Sequence, residues 1–142
     1  MTPLASLLAA VEAGDFDATP ERPTPKINAF CNAWEAAFGV GVYSYQRAWT
    51  AYATKDVNAA ISLCKAMLPG WRWGIRSHDA IEGDGFFAWL NSPDYKVLIW
   101  IAGDQETTDV LSGLHTSADA DTPSRAILIA MLRAMVAREG TP

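Results

Sequence analysis

Apolar residues in the first part of the chain recur every three to four positions, the spacing of helices that each bury one face. Three such stretches precede residue 54, and their apolar positions are Leu4, Leu7, Leu8 and Val11, then Ile27, Phe30, Cys31, Trp34 and Phe38, then Tyr45, Trp49 and Tyr52. Thr2-Pro3 and Thr24-Pro25 each offer an N-cap followed by a proline in the first turn. The prolines at 20, 23 and 25 predict an irregular linker over residues 15–25.

Two further helices are predicted, one on each side of a strand-rich stretch. The central helix runs from Asp56 to Leu68, and we expect Thr54 to cap it and Pro69-Gly70 to end it. The last helix begins at Thr122-Pro123 and carries a broad apolar band of Ile127, Leu128, Met131, Leu132, Met135 and Val136. A band this wide predicts burial against more than one neighbour.

Between these helices the pattern changes to short runs rich in tryptophan and β-branched residues, which are typical of strands. The runs cover residues 71–76, 86–90 and 95–101, and turn signals at 83–85 and 91–94 separate them. The pattern predicts three consecutive antiparallel strands. The polar, acidic segment 103–121 leaves room for a fourth, edge strand.

Together these elements predict an α/β fold of the α+β type. Residues 54–140 are expected to form an α/β sandwich domain in the order α-β-β-β-α, with an antiparallel sheet of three to four strands packed against the two helices. Residues 1–53 are expected to form an N-terminal helical extension that contains the linker at 15–25. The 142 residues, half of them apolar, match one ordinary domain with a sizeable core.

Alternation along the strands predicts two unlike sheet faces. Trp71, Trp73 and Ile75 share one side of the first strand, and Arg72 and Arg76 share the other. The aliphatic set of the third strand, which is Val97, Ile99 and Ile101, is expected to meet the helices. The opposite face then collects Arg72, Arg76, Lys96, Leu98 and Trp100, joined by Phe87 and Trp89 if these two fall on that side, which alternation alone leaves open.

A face that mixes tryptophan with arginine suits a planar anionic ligand, because indole and guanidinium groups stack on flat rings and the cations supply charge. The candidate ligand-binding residues are Arg72, Arg76, Trp89 and Trp100. Two other interpretations are favoured, because apolar sheet faces are usually buried. In one, the aromatic N-terminal helices cover this face, and in the other it is a dimer interface.

Charge and composition narrow the range of partners. Acidic side chains outnumber basic ones by 16 to 11, and the formal charge of -5 disfavours nucleic acid as a partner. No apolar run approaches the roughly 20 residues of a membrane helix, and no basic leader opens the chain, so we expect a soluble, cytoplasmic protein. Cys31 and Cys64 form no CxxC pair and are expected to be buried thiols.

No stretch of the sequence carries a strong chemical motif. Ser77-His78-Asp79 suggests a triad, but neighbours in sequence do not normally converge on one reacting atom, so a turn or strand end is favoured. Asp79, Glu82 and Asp84 offer oxygen ligands for a hard cation, yet a solvated hairpin turn is favoured because the spacing fits no recognised loop. His115 stands alone, and no nucleotide-binding or hydrolase motif occurs. We therefore predict no catalytic residue, no metal ligand and no cofactor.

Capping and turn signals recur at the starts of two helices and of the first strand. They are Tyr52, Thr54, Asp56, Ala59 and Ala60, then Pro69, Gly70 and Trp71, then Thr122, Pro123, Ala126 and Leu128. Over residues 52–140 the chain thereby resembles the small phage and prophage proteins of the phage ABA sandwich type. The resemblance implies a phage or prophage setting and an α/β sandwich, and it assigns no catalytic residue.

The expected function is that of a phage or prophage accessory protein that acts by non-catalytic binding. Its partner would be a host or phage protein, or further copies of itself in a homo-oligomer. One alternative is a protein that binds or sequesters a small molecule, such as a nucleotide-like signal, on the face with Trp89 and Arg72. Another is a metal-assisted hydrolase that uses the loop from His78 to Asp84.

Overall fold

The computed structural model describes residues 1–40, 45–78 and 85–140. Its elements in chain order are α1 (Pro3–Ala13), α2 (Ile27–Phe38), α3 (Tyr45–Ala53), α4 (Val57–Met67), β1 (Arg72–Ser77), β2 (Phe86–Asn91), β3 (Lys96–Ala102), β4 (Gln105–Ser112), β5 (His115–Ala120) and α5 (Pro123–Glu139). The predicted α+β class, with antiparallel strands between the fourth and fifth helices, is confirmed.

Local capping explains where the helices begin. The Thr2 hydroxyl accepts a hydrogen bond from the Ala5 N–H group at 3.1 Å, with proline at the first helical position as predicted. The cap of α4 is Asp56 and not the predicted Thr54, because the Asp56 carboxylate accepts from the Asn58 N–H group at 3.0 Å. Such a cap stabilises a helix by about 1 kcal/mol.

The main sheet is antiparallel and has the strand order β1-β2-β5. Among the described strands, β3 and β4 pair with each other and with no other, as a separate antiparallel hairpin. Residues 95–101 thus include a strand as predicted, but the expectation that this strand lies third in the sheet is wrong. Its place is taken by β5, from the polar segment in which an edge strand was expected.

Hydrogen bonds at Ser92 account for this exchange. Ser92 is buried just after β2, where its N–H group donates to the Leu114 carbonyl at 2.9 Å and its Oγ accepts from the Leu114 N–H group at 2.9 Å. The two bonds join the end of β2 directly to the start of β5. Residues 93–113 therefore lie outside the main sheet, as an insertion between β2 and β5. The missing side chain of Gly113 allows the start and the end of this insertion to lie close together, because a Cβ atom at Gly113 would lie 2.6 Å from the Tyr95 nitrogen.

α5 lies at the centre of the core. It contacts β1, β2 and β5 on one side and α1, α3 and α4 on the other. Its buried residues lie all around the helix and are Ser124, Ala126, Ile127, Leu128, Ile129, Ala130, Met131, Leu132 and Ala134. The predicted burial of its wide apolar band against several neighbours is confirmed.

The aromatic residues of the N-terminal helices pack on one another. The ring of Phe30 lies 5.2 Å from that of Trp49, 5.6 Å from that of Tyr52 and 5.9 Å from that of Trp34, measured between centroids. α2 contacts α1 and α3, which in turn contact α5, and α3 also contacts α4; none of the three N-terminal helices contacts a described strand. Their aromatic faces are thus covered within the helical layers.

The proline-rich segment has one fixed end. Phe16 is buried in the core, and its carbonyl accepts a hydrogen bond from the Lys26 N–H group at 3.0 Å. Residues 18–25 are exposed and carry neither helix nor strand, as the prolines predict.

The two cysteines differ in exposure. Cys64 is buried as predicted, but the prediction is wrong for Cys31, which is partly exposed and lies 3.7 Å from the Glu35 carboxylate. Both are free thiols. No helix within the described ranges is long and apolar enough to cross a membrane.

Candidate functional site

The side of the main sheet that points away from α5, here called the outer face, has a mixed aromatic and charged surface. Gly74 lies opposite Trp89, and Arg76 lies opposite Phe87, so that these four residues share one face with Arg72. β5 adds His115, Ser117 and Asp119 to it. The other face holds Trp73, Ile75, Phe86, Ala88, Leu90 and Ala118, which pack in the core with α5.

Three of the four predicted ligand-binding residues therefore lie together, and one does not. Arg72, Arg76 and Trp89 share the outer face, and Phe87 and Trp89 fall on the side that alternation had left open. Trp100 lies on the separate β3–β4 hairpin, so its expected place beside them is wrong. The binding role of the first three stays a prediction.

The aromatic rings of Trp89 and Phe87 cover part of the outer face. The Trp89 indole lies directly over Gly74, because a Cβ atom at that position would meet the indole at 2.5 Å. The Arg76 guanidinium lies 5.0 Å from the centre of the Phe87 ring, within the range of a cation–π contact. No described helix other than α5, which lies on the opposite side, contacts these strands. The interpretation that the N-terminal helices cover this face is therefore wrong for the described part of the chain.

One end of the outer face carries a histidine–carboxylate pair. His78 Nε2 lies 2.6 Å from the Asp119 Oδ1 atom, and the His78 side chain is 16% exposed. The imidazole crosses β2 next to Gly85, where a Cβ atom would lie 3.3 Å from His78 Cδ2. Of the suggested triad, Asp79 lies outside the described residues, as do the suggested metal ligands Glu82 and Asp84. The His78–Asp119 pair orients an imidazole but supplies no nucleophile of its own.

His115 lies at the opposite end of the same face. Its Nδ1 atom lies 2.5 Å from the Asn91 Oδ1 atom, and its ring lies 5.6 Å from that of Tyr95. The amide thus fixes the ring orientation of an exposed histidine. Within the described ranges, no group of three or more histidine, cysteine or acidic side chains is arranged to hold a metal ion.

A second surface, which the sequence did not reveal, is the β3–β4 hairpin. Six of its large apolar side chains are exposed by 44% to 70%, and they are Leu98, Ile99, Trp100, Ile101, Val110 and Leu111. Leu98 and Trp100 lie on one face of the hairpin, and Ile99, Ile101 and Val110 lie on the other. No other described element lies against either face. The expectation that Val97, Ile99 and Ile101 meet the helices is therefore wrong.

The hairpin also carries charge close to its apolar side chains. The Trp100 indole N–H group donates to the Asp109 carboxylate at 3.1 Å. Asp104 and Glu106 lie near the turn, whereas the single cation of the two strands, Lys96, lies at the base. Acidic groups at one end and a cation at the other give the hairpin a charge polarity along its length.

An open depression of about 300 Å³ lies where the end of α1 meets the start of α5. Its lining includes Asp17, Asp119, Asp121 and Arg125. Asp17 already binds Arg125 through two hydrogen bonds. Arg125 is thus already bound within the fold, and the other carboxylates give this depression a net negative charge.

The chain matches no known protein family, and neither a curated protein nor a solved structure is significantly similar to it. The outer face and the β3–β4 hairpin are the two candidate binding surfaces of the described residues.

Proposed function

We propose that this protein acts by binding another protein chain and that the β3–β4 hairpin is its binding element. The observation that carries the proposal is the exposure of six large apolar side chains on a hairpin that no other described element covers. Exposed clusters of apolar side chains, here one on each face of the hairpin, mark an interaction site on a folded protein. A phage or prophage setting, implied by the resemblance of residues 52–140, belongs to the same proposal.

The low stability of an isolated two-stranded hairpin also supports a binding function. Two strands alone are only marginally stable in water, and three or more strands or a packed layer are needed to hold such a unit. The Ser92 and Leu114 hydrogen bonds anchor the base of the hairpin, but its apolar faces have no described neighbour. A partner would supply the missing layer or strand.

Charge favours a protein over a nucleic acid as that partner. β3, β4 and the turn between them contain Asp104, Glu106 and Asp109 against the single cation Lys96. This excess of negative charge repels phosphate backbones, in line with the net charge of the whole chain.

The experiment compares two lysine substitutions at exposed isoleucines. Ile101→Lys charges the hairpin, and Ile27→Lys is the matched control on α2, where the side chain is 43% exposed. Association is measured by sedimentation velocity and by quantitative pull-down from the expression host. We expect Ile101→Lys to weaken association at least tenfold and the control to leave it unchanged. Equal association of both variants would contradict the proposal.

A second candidate function is the binding of a planar anionic small molecule on the outer face. The observation that favours it is the placement of Arg72, Arg76 and Trp89 on one side of the sheet, with the Trp89 ring exposed in part. Stacking on the indole and charge from the arginines would recognise a nucleoside phosphate.

Tryptophan fluorescence titration with a panel of nucleoside mono-, di- and triphosphates tests this second function. Arg72→Gln combined with Arg76→Gln should reduce affinity at least tenfold, while Arg22→Gln in the exposed proline-rich segment should not. Equal quenching in the two variants would rule out the outer face as the binding surface.

A further inference from the structure

We infer that the partner of the β3–β4 hairpin is a second copy of this chain, and that the two β3 strands pair with each other antiparallel about a two-fold axis at Ile99. This inference rests on the proposed function, because it takes the hairpin as the binding element. Pairing of this kind joins two hairpins into one four-stranded sheet, which passes the number of strands needed for a stable unit. Two-fold dimers are also the commonest form of homo-oligomer.

The hydrogen-bond pattern of the hairpin shows which residues are available at the outer edge of β3. The hairpin turns at Gly103 and Asp104 and closes on the pair Ala102 and Gln105. In a two-residue hairpin the closing pair exchanges its backbone hydrogen bonds, and the pairs alternate from there. Val97, Ile99 and Ile101 therefore point their N–H and C=O groups away from β4.

An axis at Ile99 uses all three of these residues. Ile99 then pairs with its own copy, and Val97 pairs with Ile101 of the second chain in both directions. Each of these pairs has outward backbone groups, so every one can exchange two hydrogen bonds. The aliphatic side chains of Val97, Ile99 and Ile101 from both chains meet on a single face, because strand neighbours directly opposite each other share a face.

The same register brings opposite charges of the two chains close together. Lys96 comes to lie opposite Ala102 of the second chain and next to the turn that carries its Asp104. No two like charges lie directly opposite each other, because residues 97–102 carry none. Lys96 at the base of each hairpin thus approaches the acidic turn of the other chain, and the two-fold axis gives two such contacts.

The outer edge of β4 is a poorer candidate for self-pairing. β4 carries Glu106 and Asp109 and has no cation, so that a two-fold axis through this strand would concentrate four carboxylates in one short sheet. Charged residues are a common means by which natural proteins protect an edge strand from pairing. β3 lacks this protection over Val97 to Ala102, and the pairing we infer would cover it.

Proline substitutions separate the two edges. Proline has no backbone N–H group and is tolerated in a strand where that group points away from the neighbouring strand. Ile99→Pro removes an outward N–H group from β3, and Thr108→Pro, directly opposite it in the hairpin, removes one from the outer edge of β4. Both variants keep the hydrogen bonds between β3 and β4, so each serves as the control for the other.

Sedimentation equilibrium of the full chain should give twice the monomer mass for the wild type and for Thr108→Pro, and the monomer mass for Ile99→Pro. A monomeric wild type, or a dimer that survives Ile99→Pro, would overturn the inference. The proposed function would still stand if the monomer captured a host protein and lost it with Ile101→Lys. It would fall separately if that substitution changed nothing.

Cysteine crosslinking tests the register independently of stability. In a Cys31→Ser background, Ile99→Cys should give a disulfide-linked dimer under mild oxidation, because the two copies of residue 99 meet at the axis. Val110→Cys, on the same face of the hairpin but in β4, should give at least tenfold less. Equal crosslinking at both positions would overturn the proposed axis.

Discussion

Arg125 donates hydrogen bonds to both carboxylate oxygens of Asp17, at 2.6 and 3.0 Å, across 108 positions of the sequence. Its Nε atom also donates to the Tyr52 carbonyl at 3.1 Å, and its guanidinium lies 4.1 Å from the centre of the Tyr52 ring. One side chain of α5 thereby holds the start of the proline-rich segment and the end of α3.

The Asp17–Arg125 pair should make stability depend on pH. The hydrogen bonds from Arg125 hold the pKa of the Asp17 carboxyl below its usual value of 3.8. A group with a lowered pKa contributes its stability in full above the unfolded-state pKa and loses it as the pH falls through the folded-state pKa. Asp17→Asn should therefore cost about 1 to 2 kcal/mol near pH 7, a modest figure because the carboxylate is partly exposed and screened.

Urea unfolding at several pH values measures this effect. The difference between wild type and Asp17→Asn should shrink as the pH falls below 3.8. Asp15→Asn, at a neighbouring exposed carboxylate, is the control and should change stability little at any pH. A constant difference between wild type and Asp17→Asn over the whole pH range would contradict the role of the carboxylate.

The contact between Gly74 and Trp89 predicts a cost for the smallest possible side chain. A Cβ atom at position 74 would lie 2.5 Å from the indole, so Gly74→Ala must displace the Trp89 ring from the outer face. We expect a loss of about 1 to 2 kcal/mol from overpacking, although alanine itself suits a strand better than glycine.

Thermal unfolding of a double-mutant cycle checks this contact. Trp89→Ala removes the ring, so adding Gly74→Ala to it should cost nothing or stabilise the protein. Gly140→Ala is the control for the substitution itself, because a Cβ atom there meets no atom closer than 3.7 Å. Additive effects of Gly74→Ala and Trp89→Ala would show that the two residues do not interact.

Loss of the Ser92 hydroxyl should loosen the base of the β3–β4 hairpin. In Ser92→Ala the Leu114 N–H group loses the acceptor that lies 2.9 Å away, and this part-buried donor is left unsatisfied at a cost of about 1 kcal/mol. Hydrogen exchange should become faster over residues 93–113 and remain unchanged in α5. Ser62→Ala, on the exposed side of α4, should leave exchange in the hairpin as in the wild type.

The two thiols should differ in reactivity. Burial raises the pKa of Cys64 to about 11. Near pH 8 only about one Cys64 thiol in a thousand is then a thiolate, and the thiolate is the reactive form. Iodoacetamide should label Cys31 alone in the folded protein and both thiols in 6 M guanidinium, as counted by intact mass. Rapid labelling of Cys64 under native conditions would contradict its burial in the core.

Local sequence signals were sufficient for the existence of the helices and for the positions of most strands, but the predicted cap at Thr24 is wrong, because α2 begins at Ile27 with Lys26 as its N-cap. Thr2, Thr122 and the apolar stripes act within one or two turns of the chain, and the elements formed there as predicted. Asp56 replaced Thr54 as a cap because α3 extends to Ala53 and the Thr54 hydroxyl bonds back to the Thr50 carbonyl. Such differences of two residues arise where two helices compete for the same linker.

β5 was difficult to predict because its inward side chains are small. Thr116, Ala118 and Ala120 face the core, and Ala118 is 2% exposed, yet none of them gives the strong apolar alternation that marks a half-buried strand. Small residues suit this position because α5 packs closely against β5. The alternation of small with polar residues over 115–120 was the signal available.

The sequence by itself determined the α+β class, the helices, the wide burial of α5 and the common side of Arg72 and Arg76 in β1, because periodicity and capping are local properties. Tertiary structure alone decided that β5 pairs with β2, that β3 leaves the sheet and that Trp100 lies on a different sheet from its expected neighbours. These outcomes depend on hydrogen bonds between residues distant in the sequence, such as Ser92 and Leu114, and on the packing of α5 against β1, β2 and β5. Hydrophobicity marks a residue for burial, but it does not specify which surface, or which chain, will cover it.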